Sequence, residues 1–359
     1  MTQAKNPQTC ATIAFRCDTG DDIGYGHLSR CLALAGEVNT RTPCVFVMAA
    51  PSNDVRQRIE GSGHKLIDIP VEKRFDPHAV SPQLGHLQAL IFDISYCVND
   101  VARAQRLAYI RYLAPLARTT ALIDGLGAHA LVTSADLGID LLIIPYAGAA
   151  QSTSVSHLLA GPQYAVFDRS YRETARRIVA PGIAKKLLVT FGGSDHTGLT
   201  LRVLSALKHH SALRFQVRVV IGPAFSAGDI ATIEHSAEEL GGSTLMFAPD
   251  SLVNLMEWAD MAVGATGLTK YELALTGTPA VLMSIDTEHA DAHLPFAQAD
   301  TAVHKGVADD LERADIADAI DQLAEDTERR REMSAKGQAL VDGQGANRIM
   351  NVIMRMIDA

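Results

Sequence analysis

No run of apolar residues in this 359-residue chain approaches the roughly 20 needed to cross a bilayer. The opening stretch, "MTQAKNPQTCATIAFRC", lacks a basic region followed by an apolar one, so no secretory signal is expected. Cysteine is scarce. Cys10, Cys17, Cys31, Cys44 and Cys97 are the five, irregularly spaced and without a CxxC pair. An odd count in that pattern builds neither a disulfide framework nor a zinc site. Cys17, Cys31 and Cys44 sit in apolar stretches and read as small core fillers in a reduced, cytoplasmic protein. Positive charge is also short: a formal net charge of −9 argues against a general nucleic-acid binder, although a local basic pocket for phosphate is compatible with it. No fixed-period repeat or low-complexity tract is found.

What is present is alternation. With 47% hydrophobic and 20% charged residues, the chain has the composition of a globular protein long enough for two domains of ~100–200 residues. Strand-like runs ("TIAFRC", "CVFVMAA", "HKLIDIP", "ALIFDIS", "TTALIDG", "LLIIPY") interleave with helix-like segments through residue 146. Their continuous apolar character suits a parallel sheet covered on both faces. Residues 172–184, "RETARRIVAPGIA", read as a linker. A second series follows: "KKLLVTFGG", "FQVRVVIGP", "STLMFAP", "DMAVGATG" and "PAVLMSI". The expected architecture is α/β, with two doubly wound, Rossmann-like domains over 1–175 and 183–345. A last segment, 346–359, is expected to be a helix packing back on the first domain. Ligands of such sheets bind at the carboxyl ends of the strands, so the strand-to-helix turns are where chemistry is sought.

Three turns stand out. In "RCDTGDDIGYGHLSRC", Gly24 and Gly26 precede a helix whose free amides favour an anion, and the same positive end favours a neutral His27. In "VTFGGSDHTGLTLRVLSAL", Gly192, Gly193 and Ser194 can receive phosphate oxygens, although the turn is neither a Walker loop nor a full GxGxxG; Asp195 and His196 are compatible with solvent. In "GATGLTKYELALTGTPAVLM", Thr266, Gly267, Leu268 and Thr269 open a helix bearing Glu272. That carboxylate either accepts a ribose cis-diol or closes a T-x-x-E capping box. Asp93 and Asp124 each end a strand, where they project into a cleft or cap the next element. "TEHADAH" offers Glu288, His289, Asp291 and His293, but its spacing matches no familiar metal site and it reads as a polar loop.

These turns, with "LIDGLG", "LLAGPQYAVFDRSYRE" and "VDGQGANRI", resemble the UDP-sugar hydrolases of pseudaminic acid biosynthesis, a family grouped with spore-coat polysaccharide proteins. The first motif, close to R-x-D…G-x-G-H-x-x-R-C-L-x-L-A, and the terminal "DGQGANR" are specific. The middle ones are shared with GT-B glycosyltransferases such as MurG. The resemblance runs from residue 15 to about 348. It implies a GT-B architecture, with UDP held mainly by the second domain at Gly192, Gly193, Ser194, Gly222, Thr266, Gly267, Leu268, Thr269 and Glu272. It implies inverting hydrolysis of UDP-2,4-diacetamido-2,4,6-trideoxy-β-L-altropyranose, with His27 as the catalytic residue. Arg16, Asp18, Gly24, Tyr25, Gly26, Arg30, Asp93 and Asp124 are then the sugar-side residues. No metal or cofactor is expected, and no membrane insertion.

The chemistry agrees with that implication. UDP leaves without a protonating acid, so one base that activates water on the opposite face of the sugar is sufficient. The chain departs from the family where it reads Asp124-Gly125, Asp93-Ile94-Ser95 and "DTEH", positions expected near the sugar's substituents. The rival readings are a GT-B transferase, whose base deprotonates a hydroxyl acceptor, and a non-catalytic nucleotide-sugar binder. The first predicts a membrane-docking apolar-basic helix that is not evident in the N-terminal half. The second predicts loss of His27, which is present.

Overall fold

The computed structural model describes residues 12–20, 23–38, 43–95, 99–126, 130–131, 137–149, 155–174 and 177–359. Cys10, Cys97 and the Asp21-Asp22 pair of the first turn lie outside them. The first lobe carries strands β1 (Ile13–Cys17), β2 (Val45–Ala49), β3 (Lys65–Ile69), β4 (Leu87–Asp93), β5 (Ala117–Ile123), β6 (Leu141–Ile144) and β7 (His157–Ala160). Between them run helices α1 (Gly26–Ala35), α2 (Asn53–Gly61), α3 (Pro77–Leu84) and α4 (Asp100–Leu113). The strands pair in parallel in the order β3-β2-β1-β4-β5-β6-β7. Successive side chains point to opposite faces and both faces are covered, hence the unbroken apolar runs. In β4, Ala89 and Ile91 enter one core layer, and Leu90 and Phe92 the other.

The second lobe contains β8 (Lys186–Thr190), α5 (Leu199–His209), β9 (Gln216–Ile221), α6 (Ala227–Leu240), β10 (Ser243–Phe247), α7 (Val253–Trp258), β11 (Met261–Ala265), α8 (Thr269–Leu275), β12 (Ala280–Ser284), α9 (Thr287–Ala297), β13 (Val303–Val307), α10 (Arg313–Glu325) and α11 (Thr327–Leu340). Its sheet order is β10-β9-β8-β11-β12-β13. The edge strands β7 and β13 extend the sheets beyond the runs visible in sequence: one is only four residues long, and the other, "VHKGV", carries Lys305 and Gly306. Arg177, within the linker stretch, is anchored rather than loose. It donates to the Met256 carbonyl (2.9 Å), the Thr278 hydroxyl (2.8 Å) and the Ala259 carbonyl.

The terminal helix α12 (Gly345–Asp358) crosses back to the first lobe. Ile349, Ile353 and Ile357, four residues apart, lie on one stripe and are buried in the same layer as Phe15, Leu28 and Phe46. Each such isoleucine contributes about 1.5–3 kcal/mol by leaving water.

In both sheets the order reverses beside the first strand of the lobe, between β1 and β4 and between β8 and β11. Crevices at such reversals receive ligands. The two crevices meet. A Cβ on Gly26 would lie 2.9 Å from Leu268 Cδ1, and one on Gly193 3.2 Å from Tyr25 Cδ2. Nearby, the Ala147 amide donates to the Tyr271 hydroxyl across the lobes at 2.9 Å.

Candidate functional site: the cleft between the lobes

On the first lobe the β1–α1 turn reverses at Gly24, whose φ of +75° suits glycine. Its N-cap residue, Tyr25, supplies no side-chain bond to the helix amides, and the first turn carries no acid. The positive end of α1 is therefore not neutralised by its own cap. His27 follows immediately. Its Nδ1 donates to Asp93 Oδ1 at 2.6 Å, which leaves the ring's lone pair on Nε2. Asp93 ends β4 and is fully buried.

Arg30, one turn along α1, grips the same carboxylate with both arms, Nε to Oδ2 at 2.9 Å and Nη2 to Oδ1 at 2.8 Å. Its Nη1 donates to the Tyr146 hydroxyl at 3.2 Å. Arg30 Nη2 also lies 3.0 Å from His27 Nδ1, a contact of two N–H groups rather than a hydrogen bond. Burial alone would raise the Asp93 carboxyl; the charge of Arg30 and the hydrogen bonds from Arg30 and His27 outweigh it and bring the group down to about 2. Asp93 is thus an anion held by two partners, and one of them is the imidazole.

Other residues assigned to the sugar side from sequence lie elsewhere. Arg16 and Asp18 do not line the cleft. Arg16 is fully buried, donating to the Tyr109 hydroxyl (3.0 Å) and the Arg74 carbonyl (2.8 Å), and its Nη1 lies 2.8 Å from Asp18. Asp18 accepts the Ala49 amide at 2.7 Å. The pair locks β1 to β2 because a buried guanidinium and carboxylate must satisfy each other. Asp124 is likewise buried. Its Oδ1 accepts from Ser95 Oγ (2.7 Å) and the amides of Gly125 (2.9 Å) and Leu131 (2.8 Å), which shapes the loop after β5.

On the second lobe, Gly192 turns with φ +79°, and Gly222 passes so close that a Cβ would stand 2.3 Å from the Gly193 carbonyl oxygen. The Leu199 and Thr200 amides at the start of α5 are not open to an anion. Asp195 accepts from Leu199 N (2.9 Å) and Thr200 N (2.8 Å), so the chain's own carboxylate caps the helix instead of facing solvent. The β11–α8 turn differs. Leu268 is its N-cap and supplies no side-chain bond. Thr266 Oγ1 lies 3.0 Å from Ser284 Oγ and is tied into the sheet. Glu272 forms no capping box. Burial raises its carboxyl, and the neighbouring Tyr171 and Thr269 oppose that rise.

One cavity of about 360 Å3 joins these parts. Among the residues assigned from sequence, Tyr25, Gly26, Arg30, Gly192, Gly193, Gly222, Leu268 and Glu272 line it. His27 and Asp93 do not line it; both contact Arg30, which does, and the imidazole side chain is 12% exposed. Gly24, Ser194, Thr266, Gly267 and Thr269 belong to the flanking turns without lining it. Sequence reasoning missed Tyr146, Phe167, Asp168, Tyr171 and the 248–252 stretch, all of which border the cavity. Its volume and mixed lining fit a small-molecule site. Both cationic liners, Arg30 and Arg58, come from the first lobe.

"TEHADAH" is not a loop. It opens α9, capped by Asp286, which accepts the His289 amide at 2.8 Å. His293 faces inward, its ring 4.2 Å from that of His304. Among the described residues no group of three His, Cys, Asp or Glu is arranged to hold a metal ion. No helix there is long and apolar enough to cross a membrane. Cys17, Cys31 and Cys44 are buried free thiols.

No family model matches the chain. It is 23% identical over 278 residues to an uncharacterized protein of Methanocaldococcus jannaschii, covering 76% of this chain and 55% of that one. It is 21% identical over 204 residues to the spore coat polysaccharide biosynthesis protein SpsG of Bacillus subtilis, covering 56% and 60% respectively. The chain thus spans less than two thirds of the length of either curated relative. Among solved structures it superposes on Acinetobacter baumannii MurG with a TM-score of 0.61 (11% identity, 96% of this chain, 99% of that). The Staphylococcus aureus MnaA–UDP structure gives 0.63 (11% identity, 97% of each chain). The calicheamicin glycosyltransferase CalG4 gives 0.63 (15% identity, 98% of this chain, 99% of that). Two Rossmann-like lobes facing one cleft, superposing end to end on such enzymes, make the fold GT-B.

Proposed function

We propose that the protein is an inverting nucleotide-sugar hydrolase that splits a UDP-linked deoxy amino sugar into free sugar and UDP. The observation that carries this reading is the His27–Asp93 pair at the mouth of α1, held by the cavity-lining Arg30 and next to Gly26, which meets Leu268 of the other lobe. Asp93 fixes the imidazole with a proton on Nδ1; Nε2 takes a proton from water as the water attacks the anomeric carbon. Attack from the side opposite the nucleotide inverts that carbon. The uncapped ends of α1 and α8, which approach each other at Gly26 and Leu268, favour the charge that develops on the leaving diphosphate. Glu272 accepts ribose hydroxyls on the second lobe.

The motif resemblance to the pseudaminic acid hydrolases points to UDP-2,4-diacetamido-2,4,6-trideoxy-β-L-altropyranose as the substrate, and the distant similarity to SpsG supports a role in polysaccharide biosynthesis. A cytoplasmic location follows from that role. A transferase using the same base is the second reading, favoured by superposition on the calicheamicin glycosyltransferase. A screen of UDP-sugars without acceptor tests the proposal. Release of UDP from the trideoxy sugar is expected. Turnover that requires an added hydroxyl compound would assign the transferase instead.

A further inference from the structure

The turn that follows β6 touches both lobes through consecutive residues. Tyr146 lines the cavity, and its hydroxyl accepts from Arg30 Nη1 at 3.2 Å, the arm of that guanidinium not engaged with Asp93. The next residue, Ala147, donates its amide to the Tyr271 hydroxyl of α8 at 2.9 Å. At Gly148, with φ +82°, a Cβ would lie 2.4 Å from Pro295 Cγ, so the backbone presses against α9. The Ala149 amide closes the turn on the Tyr146 carbonyl at 3.3 Å. On the far side Tyr271 is itself held: it is buried, with its ring edge-on to that of Phe296 at 4.9 Å. Burial raises both phenols, so each stays a neutral hydroxyl; a phenolate at 146 would draw Arg30 away from Asp93.

Resting on the nucleotide-sugar reading with His27 as its base, we propose that Tyr146 and Tyr271 are positioning residues through which the second lobe sets the imidazole of the first. The path is short. Tyr271 fixes the Ala147 amide, and the turn fixes the Tyr146 hydroxyl. That hydroxyl holds the free arm of Arg30, whose other two nitrogens hold Asp93 against His27 Nδ1. A guanidinium and carboxylate joined by two parallel bonds can still tilt as a unit; a third contact at Nη1 stops the tilt. Tyr271 belongs to α8, which also carries the cavity-lining Glu272, so one helix borders the ligand and buttresses the base. Small misplacements of a base relative to the bound sugar are costly, and a support that crosses the cleft guards against them.

The test is steady-state UDP release from the UDP-sugar that the full wild-type chain turns over, with or without an acceptor, beside calorimetric titration with UDP. It compares wild type, Tyr146→Phe, Tyr271→Phe and the double variant. Each single variant is expected to lower kcat about threefold to tenfold, the worth of one hydrogen bond, while UDP affinity stays within about twofold. Both substitutions cut the same link, so the double variant is expected to fall within about twofold of the slower single one. A double variant showing the product of the two single losses would overturn the proposal. So would an unchanged kcat in either single variant, or a loss confined to UDP affinity or melting temperature, since that is a packing effect. A wild type that turns over no UDP-sugar would instead overturn the nucleotide-sugar reading on which this one rests.

Discussion

The imidazole of His27 and the carboxylate of Asp93 stand 2.6 Å apart although 66 residues separate them in sequence. Arg30 holds the far side of that carboxylate, so the acid cannot swing away from the ring. His27→Ala should cut turnover by about 10²–10⁴-fold or more, because the base is gone, while UDP binding stays within a few fold. Asp93→Asn should keep the shape but lose the fixed tautomer, at a cost on the order of 10²-fold in kcat. Steady-state UDP release alongside UDP titration separates these effects.

The close approach of the lobes makes a second prediction. A methyl at Gly26 would meet the flexible end of Leu268, and one at Gly222 would meet the backbone of Gly193. Gly26→Ala should therefore lower kcat/KM several fold with little change in melting temperature, and Leu268→Ala should restore most of it. Gly222→Ala should lose nucleotide affinity regardless of the residue at 268. It should also destabilise the fold by about 1–3 kcal/mol, since a carbonyl of the turn has to move.

The buried lysine of α8 makes a third. Lys270 lies over the Tyr271 and Phe296 rings, faces His293 and His304, and is brought down to about 7 by burial. Below pH 7 both folded and unfolded chains carry its proton, and the cost of burying the charge is full. Between pH 7 and 10.5 the unfolded chain keeps the proton that the folded chain has lost, so the cost fades as pH rises. Lys270→Met should thus stabilise the protein most below pH 7, by at most about 5 kcal/mol, with the gain vanishing toward pH 10.5. Denaturant melts across that range measure it. A gain independent of pH would contradict it.

The Arg16–Asp18 lock makes a fourth. Arg16→Met removes the nearest cation from a buried carboxylate and should cost about 3–5 kcal/mol of stability. Because neither residue lines the cleft, UDP affinity should stay unchanged in the fraction that folds.

Fold class was legible because parallel strands buried on both faces leave unbroken apolar runs, as in β1, β4 and β8. The edge strands β7 and β13 were not, since an edge needs fewer apolar residues. Within the candidate site, the glycine turns and His27 were legible from local chemistry. The division of roles among acids was not. Asp93, Asp124 and Asp195 all end or follow strands, yet one orients an imidazole, one shapes a loop and one caps a helix. That choice depends on what each meets across the chain, at Arg30, Ser95 or Thr200. Tyr171 lies within "LLAGPQYAVFDRSYRE", but its place beside the cavity was not legible for the same reason: its neighbours Leu252 and Glu272 come from distant segments.

The most direct test of the account is hydrolysis of the UDP-trideoxy sugar in heavy-oxygen water, with both products weighed by mass spectrometry before the sugar's anomeric oxygen exchanges. The account predicts label on the sugar, none on UDP, and no product from His27→Ala. Label on UDP, or undiminished turnover by that variant, would contradict it.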